Sequence, residues 1–500
     1  MPVSAVFGAP LPDRRPKPKE PSETFRILVL GNFGSSTAWG KPVAVDRDNL
    51  DDVIQRLGVT IRLNDIPDAG SVNVSIGEME DFHPDRLYQQ LDLFESLRNQ
   101  RQRLQNSETF AAESAAIMAA QAKSDVAQQQ QQPAGTDEAS AIDPADLLQR
   151  AMEQTEAERP EITQSTSIGG LDIDELVRRI VAPYVLQKAD PRQAEFVAAV
   201  DDAIAQTMRR VLHDPAFQQV EASWQGIRLL TRRLPTDASL QISLMPVSKQ
   251  QLADDLMSTD DLTRTKLHDV LVDQTSVIGT EPWTLVVGNY TFENSEADTD
   301  MLGRVARIHS AAGSVFLSAA SPQIVGCDNL RSQRDPHEWT AAPADAAKRW
   351  QTLRDLPQSA SIALAMPRIL IRRAYGEETD PIESFRFEEI PDGTVHNDYL
   401  WLNPAFAAAT LLGQSFSQAG WDLMSAWSPE LDGLPIHFYS DDDDTVMQPV
   451  AEVELVLRAG DVLSAAGLTA VHSVRDQGCV LIPALTSLSS AGGRVTDRWM

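Results

Sequence analysis

Short hydrophobic runs separated by turn residues open the chain and predict a small α/β region. The run Phe25–Gly31 is apolar and ends in glycine, which is typical of a buried strand. Val72–Ile76 alternates strictly between apolar and polar residues, as a half-buried strand does. Helical spacing of apolar residues predicts helices over Asn49–Leu57 and Pro84–Leu104. Together these elements predict a first α/β region over residues 22–120.

Farther along the chain, helices and strands are predicted to alternate. Apolar residues recur at helical spacing over Ala194–Leu212 and again over Pro215–Leu234. Buried strands are predicted at Trp283–Gly288 and Val315–Ala319, with a helix over Asp300–Ala312 between them. Such alternation favours a layered α/β fold with a mainly parallel sheet.

The residues between these two regions have the composition of a linker. The glutamine run Gln128–Gln132 leads into Pro-Ala-Gly, in a stretch with few aromatic or branched residues. One amphipathic helix is predicted inside it, over Asp146–Gln154, with Leu147, Leu148 and Met152 on its apolar side. Two interpretations are open: a peptide that docks in a partner's groove, or a helix that packs on its own domain.

The pattern therefore divides the chain into five segments. Their predicted bounds are 1–21 for a disordered or extended arm, 22–120 for the first α/β region, 121–170 for the linker, 171–488 for the second α/β region and 489–500 for a tail. The arm is rich in proline and basic residues, and its composition favours a disordered tail over a docking arm.

Composition and charge argue against several classes of binding partner. The 500 residues carry a formal net charge of -29, which repels nucleic-acid backbones and anionic membrane surfaces. The start of the chain lacks the apolar core of a signal peptide, and no apolar run reaches the roughly 18–20 residues that span a bilayer. Cys327 and Cys479 form no CxxC motif, so neither a disulfide framework nor a zinc site is indicated. The sequence predicts a cytoplasmic protein without nucleic-acid binding or membrane insertion.

Residue types that carry chemistry do not combine into an active site. Gly31–Gly34 follows a strand but lacks the spacing and the terminal lysine of phosphate loops. His213-Asp214 and His268-Asp269 are adjacent pairs, whose side chains do not face each other on a helix. Asp441–Asp444 lacks the alternating ligands of an EF-hand and is better interpreted as a solvated acidic loop. The sequence therefore predicts no catalytic residue, no metal site and no cofactor.

One internal basic segment stands out in this acidic chain. Arg368, Arg372 and Arg373 are interleaved with apolar residues. Arginines in such a pattern can hold an acidic neighbouring subunit by bidentate pairing. The alternative is an internal ion pair with the acidic stretch Glu377–Asp380, and the sequence leaves both interpretations open.

Several motifs of the first region resemble the small sheath subunit of type VI secretion systems. The resemblance covers about residues 22–115, and the Asp-Phe-His-Pro element at 81–84 is its most specific part. The matching motifs are Leu28–Phe33, Pro42–Leu50, Met79–Pro84 and Leu97–Arg101.

The second region resembles the large sheath subunit over about residues 140–488. Its most distinctive motifs are Leu212–Gln218 and Glu221–Gly226. Further matches follow in order at Asp254–Leu256, Glu281–Trp283, Gly288–Phe292, Trp350–Arg354, Met366–Leu370, Tyr375-Gly376, Trp401, Ser415-Phe416 and Gly420-Trp421. The predicted helix at 146–154 is similar to the large-subunit helix that a AAA+ unfoldase recognises, which implies Leu147, Leu148 and Met152 as docking residues.

The resemblance implies both a fold and a role. The fold is α/β, with two layered α/β regions of the contractile-sheath type joined by a flexible linker. The role is that of a non-enzymatic component of a bacterial contractile sheath, which assembles around an inner tube and drives its ejection. The implied partners are other sheath subunits or further copies of this chain, an inner-tube protein, baseplate components and a AAA+ recycling unfoldase.

Two alternative functions accompany this interpretation. The family's large subunit continues beyond the equivalent of Leu485–Leu488, which raises the alternative of a non-polymerising adaptor or cap of the same apparatus. The other alternative is an enzyme on a sheath-like scaffold. That alternative requires titratable side chains, such as those of His213, Asp214 and Asp441–Asp444, to converge in a pocket.

Overall fold

The computed structural model describes residues 7–8, 11, 24–66, 70–129, 190–277, 280–391, 396–441 and 444–499. This part of the chain forms two compact units. The first unit comprises the residues up to Phe94 together with those from Asp202 onward, and the second comprises Glu95–Asp201. Each unit therefore combines residues of both predicted α/β regions.

The strands belong to one large sheet and several small antiparallel sheets. The described strands are β1 (Phe25–Gly31), β2 (Val43–Ala44), β3 (Val59–Ile66), β4 (Gly70–Ile76), β5 (Leu240–Pro246), β6 (Leu285–Phe292), β7 (Val315–Ala320), β8 (Ile362–Met366), β9 (Ile369–Leu370), β10 (Trp401–Leu402), β11 (Glu430–Leu431), β12 (His437–Asp441), β13 (Asp444–Gln448), β14 (Leu468–Ala470), β15 (His472–Ser473) and β16 (Val480–Leu481).

Helices alternate with these strands through most of the second region. The described α-helices of at least seven residues are α1 (Leu50–Leu57), α2 (Pro84–Gln90), α3 (Glu95–Gln105), α4 (Phe110–Gln129), α5 (Pro191–Leu212), α6 (Pro215–Arg233), α7 (Lys249–Met257), α8 (Glu296–Ala312), α9 (Ala344–Arg354), α10 (Ala405–Ala419) and α11 (Leu457–Ala465).

The main sheet is shared by the two predicted regions. Its strand order is β14-β8-β7-β6-β1-β5-β2, so β1 of the first region lies between β6 and β5 of the second. β1 is parallel to both neighbours, and Val29 lies opposite Leu244 on one side and Val287 on the other. The short strand β2 pairs antiparallel to β5. The predicted α/β class with a mainly parallel sheet is confirmed, and the first strand of the chain is central in that sheet.

The apolar sequence of β1 follows from its central position. Ile27, Leu28, Val29 and Leu30 have no solvent exposure, because neighbouring elements cover both faces of the strand. Leu28 and Leu30 belong to the main hydrophobic core, which includes residues of β5, α7 and α8 from the second region. One continuous core therefore stabilises both regions.

Part of the predicted N-terminal arm also packs in this core. Phe7 is 1% exposed and lies against Gly303 of α8. A Cβ atom added to Gly303 would come within 2.1 Å of the Phe7 ring, so only glycine permits this approach. On the same helix, Arg307 donates a hydrogen bond to the backbone carbonyl of Gly8.

The helix predicted over Pro84–Leu104 is divided in the structure. α2 ends at Gln90, Leu91 has extended backbone angles, and a 3-10 turn over Asp92–Phe94 precedes α3. Leu91 and Phe94 are both buried, so the break directs both side chains into the protein. Their spacing also fits one face of a single helix, and the sequence pattern therefore predicted an uninterrupted element.

The second compact unit joins helices from both predicted regions. The Phe110 ring of α4 lies 5.9 Å from the Phe196 ring of α5. Gln193 Nε2 donates to the Leu104 carbonyl at 2.7 Å, and the Arg101 guanidinium pairs with Asp201 at 2.6 Å. The predicted linker begins within α4 and then lies outside the described residues, as do Leu147, Leu148 and Met152.

Candidate functional site: contacts between the two regions

The loop after β1 is a packing contact for helix α6. Trp224 Nε1 donates a hydrogen bond to the Phe33 carbonyl at 3.2 Å, and the two rings lie 5.5 Å apart. Gly34 has a left-handed φ of 73°, and an added Cβ would lie 2.8 Å from Val59. Gly34 therefore permits close packing in the Gly31–Gly34 turn, whose backbone carbonyls also accept hydrogen bonds from the N–H groups of Val247 and Thr60.

The Asp81–Pro84 element makes a second contact between the regions. Phe82 packs edge-on against Phe217 of α6, with ring centroids 5.8 Å apart. His83 packs edge-on against Tyr375 at 5.0 Å. The carboxylate of Asp81 accepts a hydrogen bond from the backbone of its own turn, at Gly77 N, which fixes the element's conformation.

Helix α2 extends this contact through Asp85 and Tyr88. The Asp85 carboxylate accepts hydrogen bonds from the backbone N–H groups of Glu383 at 3.0 Å and Ser384 at 2.9 Å. Partial burial opposes the charge of Asp85, but these hydrogen bonds outweigh it and lower its pKa. Tyr88 packs on Phe385 at 5.0 Å. The start of α2 therefore holds the 383–385 segment of the second region.

A buried ion cluster lies next to this contact and is centred on Arg372. Arg372 Nε donates to Glu221 Oε1 at 2.7 Å, while Nη1 and Nη2 donate to the two oxygens of Glu389 at 2.7 and 2.8 Å. The side chains of Arg372, Glu221 and Glu389 are 8%, 0% and 1% exposed. The guanidinium lies 4.3 Å from the Tyr375 ring, which in turn contacts His83. Arg372 thus joins α6 to the loop that receives the first region.

The two carboxylates of the cluster differ in pKa because they pair unequally with one guanidinium, which donates two hydrogen bonds to Glu389 and one to Glu221. Burial opposes the charge of Glu389, but its paired bonds with Arg372 and the N–H of Tyr375 lower its pKa to about 2. Glu221 receives one bond from Arg372, and its buried Oε2 has no partner among the described residues. Burial, aided by the charge of Glu389, raises the pKa of Glu221 to about 6 against the pull of Arg372. Glu389 is therefore the principal counter-ion of Arg372.

The three arginines predicted at a subunit interface occupy different environments. Arg372 is buried in the cluster, and Arg368 pairs with Glu452 while its side chain stays 43% exposed. Arg373 is exposed. Among the described residues, the ion-pair partners of Arg368 and Arg372 lie outside the acidic stretch Glu377–Asp380 that was considered as their internal partner. Contact of the three arginines with another subunit stays a prediction.

The histidines of the two adjacent His-Asp pairs lie near carboxylates other than those of their sequence neighbours. Asp214 caps helix α6, whereas the neighbouring His213 lies 3.7 Å from Glu389. His268 Nδ1 lies 3.1 Å from Asp273, one helical turn farther along the chain than its neighbour. Each histidine thus lies close to the carboxylate of a residue that does not adjoin it in sequence. This agrees with the expectation that neighbours on a helix do not face each other.

The part of the chain described here offers no arrangement of three or more His, Cys, Asp or Glu side chains that could hold a metal ion. Within the same residues, no helix is long and apolar enough to cross a membrane. The acidic run Asp441–Asp444 lies partly outside the described residues.

The comparisons with known families match both regions of the chain. A family model described as EvpB/VC_A0108, tail sheath N-terminal domain, matches residues 194–489, more than half of the 500 residues. The chain belongs to this tail sheath family. A second model, described as type VI secretion system, VipA, VC_A0107 or Hcp2, matches residues 20–131. The resemblance to a small sheath subunit fused to a large one is thereby confirmed.

A known relative adds a third comparison. The type VI secretion system sheath protein TssC1 of Pseudomonas aeruginosa is 34% identical over 260 residues, which cover 50% of this chain and 52% of the relative. The tail sheath chain described here therefore spans about half the length of that relative.

The motifs that carried the resemblance contact one another in the folded protein. Trp224 of one large-subunit motif packs on Phe33 of a small-subunit motif, and Phe82 packs on Phe217 in the same way. Sequence reasoning missed the role of Asp85, because its partners Glu383 and Ser384 lie far away in the chain. It also missed Glu389, which lies beyond the acidic stretch Glu377–Asp380 that was considered as the partner of the arginines. The sequence did contain one signal for the ion cluster, because Glu221 begins the distinctive large-subunit motif Glu221–Gly226.

Proposed function

We propose that the protein is a non-enzymatic building block of a type VI-like contractile sheath, in which both subunit types are present in one folded chain. The observation that carries this proposal is the position of β1, which lies between strands β6 and β5 of the second region in the main sheet. The family matches to both regions support the same role. Covalent connection fixes the ratio of the two regions at one to one and raises their effective concentration.

In the proposed assembly, further copies of the protomer pack around an inner tube in the bacterial cytoplasm, and contraction of the resulting sheath ejects the tube. A heterologous contact repeated between identical protomers generates a helical polymer, which suits a sheath. Baseplate components are proposed to start the assembly. Arg373, which is exposed, and Arg368, which is partly exposed, are the proposed cationic contacts with an acidic neighbouring protomer.

Electron microscopy of the purified full chain, alone and with its inner-tube protein, tests this function. The expected result is hollow, regularly ridged tubes. Arg373→Glu should reduce their number, whereas Arg334→Glu, a matched change at another exposed arginine, should not. Discrete particles under all conditions would contradict the sheath function and favour a non-polymerising adaptor.

A recycling unfoldase is the remaining proposed partner, with Leu147, Leu148 and Met152 as its docking residues. Leu148→Asp is expected to abolish binding of the AAA+ unfoldase, because a charge on the apolar side of an amphipathic helix prevents groove binding. Gln149→Asp adds the same charge to the other side of that predicted helix and serves as the control. Equal binding of both variants and the unchanged chain would remove this partner from the proposal.

A further inference from the structure

We propose that a cavity at the carboxyl ends of strands β7 and β8 binds a small ligand through a carboxylate or phosphate group. The cavity has a volume of about 340 Å³, which lies within the usual range of small-molecule sites. The carboxyl edge of a parallel sheet is the usual position of ligands in open α/β folds, because loops and helix ends converge there. The proposed sheath function gives Arg368, at the edge of this cavity, a contact with a neighbouring protomer, but it assigns no ligand to the cavity.

The lining of the cavity combines apolar residues with a cluster of basic residues. Ala319 and Ala320 of β7 and Ala365 and Met366 of β8 form part of the lining. Three side chains that are cationic or become cationic on protonation line the same cavity, namely Arg331, Arg368 and His396. Such a concentration is unusual in a chain whose formal net charge is -29.

Glu452 fixes two of these basic groups in place. Its carboxylate accepts a hydrogen bond from His396 Nε2 at 2.8 Å, and it pairs with Arg368 through Nε at 3.0 Å and through Nη2. Burial opposes the charge of Glu452, but these partners lower its pKa to about 2, so the carboxylate is ionised at neutral pH. A fixed donor loses little conformational entropy when it binds a ligand, which favours binding.

Hydrogen-bonding capacity remains after Glu452 is satisfied. His396 Nδ1 is buried and has no partner among the described residues, and Arg368 Nη1 makes no hydrogen bond with them either. Arg331 is a further basic residue of the lining. Both oxygens of Glu452 accept hydrogen bonds from Arg368 or His396. The other carboxylate in the lining belongs to Asp328, which is exposed. An oxyanion fits Arg368 Nη1, because guanidinium groups form short, charge-assisted hydrogen bonds with carboxylates and phosphates, and His396 Nδ1 is a further donor in the protonated imidazole.

Isothermal titration calorimetry of the full, unassembled chain tests this inference independently of sheath formation. The probes are inorganic phosphate and succinate at constant ionic strength, with sodium chloride as the blank. We expect saturable binding of at least one probe to a single site. Binding of phosphate alone or of succinate alone identifies the anionic group that the cavity takes.

Matched variants locate the site. Arg331→Gln should weaken binding at least about tenfold, since the loss of one charge-assisted hydrogen bond typically has an effect of this size. Arg334→Gln, at an exposed arginine outside the cavity lining, should leave the affinity within about twofold. His396→Gln provides a second loss-of-binding variant, and thermal unfolding checks that each variant is folded. The inference is overturned if neither probe binds below about 20 mM, or if Arg331→Gln and His396→Gln both bind like the unchanged chain.

Discussion

The two compact units both join the two sequence regions, but they do so by different physical means. In the first unit, β1 forms backbone ladders with β5 and β6, and its apolar side chains enter the shared core. Among the described residues of the second unit, the two regions are connected by side-chain contacts, which include the Phe110–Phe196 ring pair, the Arg101–Asp201 ion pair and hydrogen bonds from Gln193. The contact in the first unit is therefore part of its hydrophobic core and its backbone ladder, whereas the described contact in the second is made by side chains between helices.

This difference has consequences for how the regions depend on each other. Without β1, strands β5 and β6 would each expose an unpaired edge, and the residues that pack on β1 would be exposed to water. The helices of the second unit make their backbone hydrogen bonds within each helix, so loss of one side-chain contact between helices leaves those hydrogen bonds in place. Perturbation of the first unit should therefore unfold the protomer, and perturbation of the second should act locally.

The largest effect is expected from a charge in the central strand. Val29→Asp places an unpaired carboxylate where the side chain has no exposure, and we expect a loss of at least about 4 kcal/mol in unfolding free energy. Chemical denaturation followed by circular dichroism measures it. Ser75→Asp, on an exposed position of β4, should change the stability by about 0.5 kcal/mol or less. A similar stability of the two variants would show that β1 is not a core strand.

A large effect is also expected from the buried ion cluster. Arg372→Met leaves the carboxylates of Glu221 and Glu389 buried together, which should cost about 3–5 kcal/mol of unfolding free energy. The double variant Arg372→Met/Glu389→Gln should recover part of this loss, because it removes the principal counter-ion as well. Urea denaturation of the single and double variants provides the comparison. A loss below about 1 kcal/mol in Arg372→Met would contradict the role given to the cluster.

A smaller effect is expected from titration of Glu221. Its pKa is raised in the folded protein to about 6, so its contribution to stability is full below the unfolded value and is lost as the pH rises through about 6. Glu221→Gln removes this titration, so its stability relative to the unchanged chain should increase between about pH 4.5 and 6.5. Denaturation midpoints at several pH values measure the difference. A constant difference across this range would contradict the assignment.

The smallest effect is expected in the second unit. Arg101→Ala breaks a partly exposed ion pair with Asp201, and the expected cost is about 1 kcal/mol or less. The loss should appear as faster hydrogen exchange in α3 and α5, with the exchange of β1 unchanged. Faster exchange throughout the main sheet would instead show that the two units depend on each other as strongly as the strands do.

Local patterns in the sequence predicted several elements of the fold. The strand at Phe25–Gly31, the helix pair on either side of Pro215 and the alternation from Trp283 to Ala319 all depend on nearby residues. The position of β1 depends on partners more than 200 residues away, and no periodicity records such a pairing. The family motifs implied that the two regions belong to one kind of assembly, but they did not identify the strands that pair with β1.

The candidate site was less predictable for the same reason. Arg372 was identified as unusual, but its partners Glu221 and Glu389 belong to other elements. Interleaving of arginines with apolar residues is compatible with a buried arginine and with an interfacial one, and the difference depends on tertiary packing. The cavity at the carboxyl edge of β7 and β8 likewise forms only when separate loops converge.

The central claim is that the two regions form one folded protomer through the shared sheet. A specific protease site inserted after Gly135, in the predicted linker, allows the full chain to be cut after it has folded. Size-exclusion chromatography of the cut protein should show both fragments in one peak at the original size, with a single unfolding transition. Separation into two independently folded fragments would contradict the account.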